Sequence, residues 1–317
     1  MQTDGLTVGV DLGGTKIAAG VVDPKGEIIS RVRVPTPQDP SLVACAIASA
    51  VEQVRQGWDG VQAVGVGAAG YVDRQRSTVR FAPNLGWQDE PLREIVEHAT
   101  KLPVVVENDA NAAAWGEFVH GAGADYEDMV MVTVGTGLGG GIITGGQLFR
   151  GRFGMGGEIG HYRAVPDGIP CGCGQHGCME QYASGAAHIR RAREAATADP
   201  DRAAALITLG GGSPDGIQGR HVTEAAMAGD PLALDLFEET GRWVGQALAD
   251  LASILDPAVF VIGGGLSETG ELIARPAGTS YRKALGGGDH RVYADVVTAT
   301  VGQDVGLIGA ADLARHR

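Results

Sequence analysis

Lysine is almost missing from this chain. Only Lys16, Lys25, Lys101 and Lys283 stand among 25 basic residues, against 38 acidic ones, for a net charge of -13. So acidic a chain repels nucleic-acid backbones and anionic bilayers, which argues against nonspecific binding to either. A phosphate ligand stays open, because backbone N–H groups can hold one locally. Long apolar runs are missing too, none reaching the roughly 18 residues of a membrane span. The opening "MQTDGLTVGVDLGG" lacks a basic stretch followed by an apolar one, so the expectation is a cytoplasmic protein with no membrane partner. Cysteine is limited to four residues, and structural disulfides are rare in that compartment. Cys45 falls in a helical pattern and reads as a buried thiol.

What is present is glycine, 51 residues in short runs after apolar segments, which reads as many tight turns. "LTVGV" runs into "DLGGTK", and "IAAGVVD" and "GEIISRVRV" follow as strands around a "DPKG" turn. Val43, Ile47, Val51 and Val54 recur at helical spacing. "VQAVGVGAAG" and "LPVVVEND" are strands, the second opening an Ala-rich helix through Asp109. "DMVMVTVGTGLGGGIITGGQLF" is strand, turn, strand. The stretch 230–257 is a helix, with Asp230 as its cap, Pro231 at its first position and Asp256-Pro257 as its stop, and "AVFVIGGGLSE" is strand then turn. The order repeats, so the expectation is α/β with two similar halves facing each other across a cleft.

"DLGGTK" (11–16) and "GTGLGGG" (135–141) each join adjacent strands through glycines, where N–H groups can gather around phosphate oxygens. Singly each is most simply a hairpin turn, but the pair in two repeated halves, with a third turn at Gly263, Gly264 and Gly265, favours a nucleotide. Thr15 and Thr136 add hydroxyls, and Asp11 suits a hydrated Mg2+. No Walker or Rossmann fingerprint is present. Asp109 ends an apolar strand where a helix starts, so it reads either as a helix cap or as a general base that an adjacent helix N-terminus keeps ionised. Asn108 suits hydroxyl recognition. Glu158, Glu180 and Asp109 are acceptors for a polyhydroxylated ligand, with a solvated surface as the plain alternative. Glu158 and His161 share a face if "GGEIGH" is helical.

"CGCGQHGCME" (171–180) holds Cys171, Cys173 and Cys178. Three thiolates in one loop suit a structural zinc with His161 or His176 as fourth ligand, more than a redox pair.

With "DLGGTK", "PNLGW", "VENDANAAAWGE", "GTGLGGGI", "GGEIGH", "CGCGQHGCME" and "IGGGLS" in view, nearly the whole chain resembles the ROK family (repressors, open reading frames, sugar kinases), and within it the bacterial glucokinases of actinobacterial type. The resemblance implies an actin-like ATPase-domain fold (ribonuclease H-like, duplicated), with two lobes around a cleft. The lobes are expected over 1–108 plus 301–317 and over 109–300, the second holding the zinc loop. It implies ATP-dependent transfer of the γ-phosphoryl group to the 6-hydroxyl of glucose, giving glucose 6-phosphate and ADP, with Asp109 as catalytic base. Gly70, Asn84, Asn108, Asp109, Glu158, His161 and Glu180 become substrate-binding residues. Asp11, Gly13, Gly14, Thr15, Lys16, Thr136, Gly137, Gly263, Gly264 and Gly265 would serve ATP and Mg2+. Zn2+ would sit on His161, Cys171, Cys173 and Cys178, with His161 also donating to the sugar. A homo-oligomer, dimer or tetramer, is expected. Family repressors carry a helix-turn-helix before the "DLGGT" strand; with that strand starting at Leu6, none is expected here. The alternatives are a kinase for mannose, fructose or an N-acetylhexosamine, a sugar-sensing regulator without turnover, and a structural actin-like ATPase.

Overall fold

The computed structural model describes residues 5–316. Its first sheet has the order β3-β2-β1-β4-β8, built from β1 (Leu6–Leu12), β2 (Lys16–Val22), β3 (Ile28–Pro35), β4 (Val61–Ala68) and β8 (Val104–Asn108). β1 to β3 form an antiparallel meander, and β4 and β8 add in parallel. The parallel strands are buried on both faces, which is why "LTVGVDL" and "VVVEN" read as continuous apolar runs. β3 is the edge, where Arg31 and Arg33 alternate with half-buried valines.

A second five-stranded sheet has the order β11-β10-β9-β12-β13, from β9 (Met129–Val134), β10 (Leu138–Thr144), β11 (Gln147–Leu148), β12 (Val259–Gly263) and β13 (Asp295–Thr298). Its outer pairs repeat the first sheet's senses, antiparallel for β10 with β11 and parallel for β12 with β13. The repeat in the sequence is thus a duplicated topology. A small antiparallel sheet joins β5 (Tyr71–Val72), β6 (Val79–Ala82) and β7 (Trp87–Glu90).

The helices are α1 (Pro40–Val54), α2 (Leu92–Thr100), α3 (Asp109–His120), α4 (Glu180–Ala183), α5 (Gly185–Ala198), α6 (Ala204–Leu209), α7 (Gly219–Met227), α8 (Pro231–Leu255), α9 (Glu271–Ala284) and α10 (Val305–Arg315). α8 starts as its sequence dictates, with the Asp230 carboxylate accepting the Ala233 N–H, and it stops at Asp256 in the left-handed region. α1 buries Val43, Ile47, Val51 and Val54, but Cys45 is exposed, not buried. Two residues past Val43 the helix has turned about 200°, which carries that side chain away from the core.

The chain divides into two compact units. The first comprises the described residues of Met1–Val130, Gly140–Gly157 and Thr300–Arg317, and the second Met131–Gly139 and Glu158–Ala299. The first unit is larger than the sequence suggested, with no break at 108. α3 packs along α10, and both rest on the first sheet. α10 lies so close that a Cβ on Gly65 would stand 1.7 Å from the Ala310 carbonyl oxygen, so only glycine fits there. Within the second unit, α8 and α9 pair side by side, and α9 also packs on β13.

Candidate functional site

In the first unit, β8 delivers Glu107, Asn108 and Asp109 into the start of α3. The sequence left Asp109 as a possible cap, but the cap is Asn108. Its Oδ1 accepts the Asn111 N–H at 3.0 Å, and its Nδ2 donates to the Gly70 carbonyl at 3.2 Å. Asp109 is the first helical residue, and its Oδ1 accepts the neighbouring Ala110 N–H at 2.9 Å. Burial pushes its pKa up, against the pull of the Ala110 and Asp109 N–H groups. The helix N-terminus favours the ionised form, but desolvation outweighs it.

Glu107, two residues earlier, is fully buried. It forms ion pairs with Arg76 (3.0 Å) and Arg150 (2.7 Å) and accepts from Asn111 Nδ2 at 3.1 Å. No role for Glu107 is legible in the sequence, although a carboxylate directly after "VVV" signals that a buried partner must exist.

Asp11, at the end of β1, is held above its usual pKa by burial and by the charges of Asp109 and Asp304, with Lys16 opposing. Such a crowd of carboxylates suits a divalent cation. The turn that follows is closed by Gly13 N–H donating to Lys16 O and by Thr36 Oγ1 donating to Gly13 O. Gly14, Thr15 and Lys16 are exposed, as is Asn84 on a short 3-10 turn.

In the second unit, Gly135 and Thr136 line a cavity of about 690 Å³, a size that suits a nucleotide. Gly265 lines it too, together with Leu266, Glu268 and Thr269. Of the expected third turn, Gly263 faces Met131 and Gly264 packs on the Val134 backbone. The opposite wall comes from α5 and α7, with His188, Ile189, Arg220, Thr223, Glu224 and Met227. These residues lie in a stretch with no motif, so the sequence could not single them out. His188 is fully buried, and burial with nearby Arg191 pushes its pKa down to about 4, which leaves it neutral at pH 7.

The cysteine loop closes into one cluster. The ligand atoms of His161, Cys171, Cys173 and Cys178 all lie within 4.8 Å of one another. His161 Nδ1 is 3.8 Å from Cys171 Sγ, and Cys173 Sγ is 3.6 Å from Cys178 Sγ. Tetrahedral ligands about 2.3 Å from zinc stand about 3.8 Å apart, so the set fits Zn2+. His176 is outside the cluster and pairs through its backbone with Pro170, so His161 is the fourth ligand of choice. Glu158 and His161 are joined by a single turn, His161 N–H to Glu158 O at 3.0 Å, and not by a helix. Glu180 opens α4 two residues after Cys178. Its Oε1 is 3.7 Å from Cys171 Sγ, and its Oε2 accepts the Leu138 N–H at 3.2 Å.

Comparison with known proteins completes the description. The ROK family pattern matches residues 7–317. The glucokinase of Streptomyces coelicolor is 58% identical over 98% of both chains. A solved glucokinase from Streptomyces griseus, in complex with glucose and AMPPNP, superposes with a TM-score of 0.91 at 56% identity, covering 98% of this chain and all of that one. A hexokinase from Thermus thermophilus gives 0.80 at 40% identity, over 98% and 97%.

Proposed function

The chain belongs to the ROK family, and from that membership we propose that it is an ATP-dependent glucokinase in which Asp109 is the general base. The observation that carries the residue assignment is a half-buried, helix-start carboxylate with a raised pKa, on a chain that is 58% identical to a glucokinase. The actin-like fold is shared with the solved relatives.

The 6-hydroxyl oxygen of glucose attacks the γ-phosphorus of ATP. The new O–P bond forms as the bond from the β,γ-bridging oxygen to that phosphorus breaks, and ADP departs with the electron pair. Asp109 accepts the hydroxyl proton as the oxygen loses it. Asn108, fixed by its bonds to Gly70 and Asn111, recognises sugar hydroxyls, as do Gly70 and Asn84 in this reading. Glu158, His161 and Glu180 contribute further hydroxyl contacts. The Gly13–Lys16 turn and the Thr136–Gly137 turn hold phosphates, and Gly265 borders the nucleoside. Asp11 would hold hydrated Mg2+, which when bound offsets phosphate charge. Zn2+ on the Cys3His set would fix the His161 ring through Nδ1, leaving Nε2–H to donate to a sugar hydroxyl.

A cytoplasmic setting is consistent with the unpaired cysteines, since disulfides are rare in that compartment. Assembly into a dimer or tetramer is supported by exposed Phe81, Phe149, Phe153 and Met155 on the first unit.

The test is a turnover panel crossing glucose, mannose, fructose and N-acetylhexosamines with ATP and polyphosphate. Glucose with ATP should give the highest kcat/KM. Preference for another hexose would move the substrate assignment, and sugar binding without turnover would make the protein a regulator.

A further inference from the structure

The segment that leaves the zinc cluster is bonded at three points to the Gly135–Leu138 turn. Glu180 Oε2 accepts the Leu138 N–H at 3.2 Å. Gly185 N–H donates to Gly135 O at 2.7 Å, and Ala186 N–H donates to Thr136 O at 3.3 Å. All three donors or acceptors lie within eight residues of Cys178, a member of the cluster. The glycine pattern records the same closeness. A Cβ on Gly137 would stand 2.5 Å from Glu180 Oε2, and one on Gly185 would stand 2.5 Å from the Gly135 carbonyl oxygen. Glu180 itself is seated on the other side by Cys171 Sγ at 3.7 Å and by its own N–H donating to Gly160 O at 2.9 Å.

We propose that Glu180 is a positioning residue for the nucleotide as well as a sugar contact, holding the Thr136–Gly137 phosphate turn in place from the zinc loop. The inference rests on reading that turn as part of the ATP site. A carboxylate offers about four lone-pair directions, so the bond to Leu138 leaves capacity for a sugar hydroxyl. Removing the acceptor orphans a backbone N–H and frees one side of the turn, so nucleotide affinity must fall even when no sugar is present.

The experiment is ADP binding by calorimetry on the zinc-loaded protein without glucose. Glu180→Ala should weaken ADP about tenfold, the scale of one lost hydrogen bond to a backbone donor. Glu180→Gln should recover most of that loss, because its amide oxygen can still accept from Leu138, while glucose binding stays weak. Gly137→Ala should weaken ADP in the parent protein by displacing the carboxylate, and should cost less in the Glu180→Ala background, where the clash is gone. Wild-type ADP affinity in Glu180→Ala, or strict additivity of the two substitutions, would overturn the proposal. Failure of the parent protein itself to bind ADP would instead remove the nucleotide reading on which it rests.

Discussion

At the scale of single residues the proposed chemistry turns on Asp109. Its carboxylate must be ionised to accept a proton, yet burial raises its pKa above the usual carboxylate range. The acid limb of the kcat/KM profile should therefore sit above the pKa of a free aspartate, and activity should be lost as pH falls through it. The sign for stability is opposite. A raised folded-state pKa means the native protein holds the proton more tightly than the unfolded chain, so ionisation of Asp109 costs stability as pH rises through that value. Asp109→Asn should therefore melt at a higher temperature than the parent at pH 7, measured by calorimetry, while losing turnover. A lower melting temperature would show that the ionised carboxylate is stabilised by its surroundings.

At the scale of elements, a buried carboxylate ties α3 to the segment that precedes α10. Glu117 is fully buried and accepts N–H bonds from Ala122, Thr300 and Val301 at 2.8 to 3.1 Å. Glu117→Ala leaves those donors without an acceptor and should cost about 3 kcal/mol or more in denaturant unfolding. A change under about 1 kcal/mol would mean that water replaces the carboxylate.

Much of this architecture was legible in the sequence. The period of Val43, Ile47, Val51 and Val54 gave α1, the Asp230-Pro231 pair gave the start of α8, and the paired glycine turns gave the duplicated sheets. Contacts between distant segments were not legible. The cap passed from Asp109 to Asn108 because Asn108 alone reaches the Asn111 N–H, and local composition does not decide between adjacent capping residues. The α5 and α7 wall of the cavity carries ordinary helical residues whose role comes only from what faces them. Glu107 with Arg76 and Arg150 spans long sequence separations and leaves no local pattern.

At the scale of the whole molecule, the proposed function joins the zinc cluster to the kinase chemistry. In that proposal His161 would be both a metal ligand and a sugar contact, and the Glu180–Leu138 bond would link the metal loop to a phosphate turn. Elemental analysis should find one zinc per chain, lost in Cys173→Ala together with most sugar affinity. Active protein without metal would break that link. The activity itself is tested most directly by Asp109→Asn, with glucose affinity and turnover measured on the same sample. The expected result is a fall in kcat of about 10²–10⁴-fold while glucose still binds. Turnover close to that of the parent protein would contradict the assignment of Asp109 as the base.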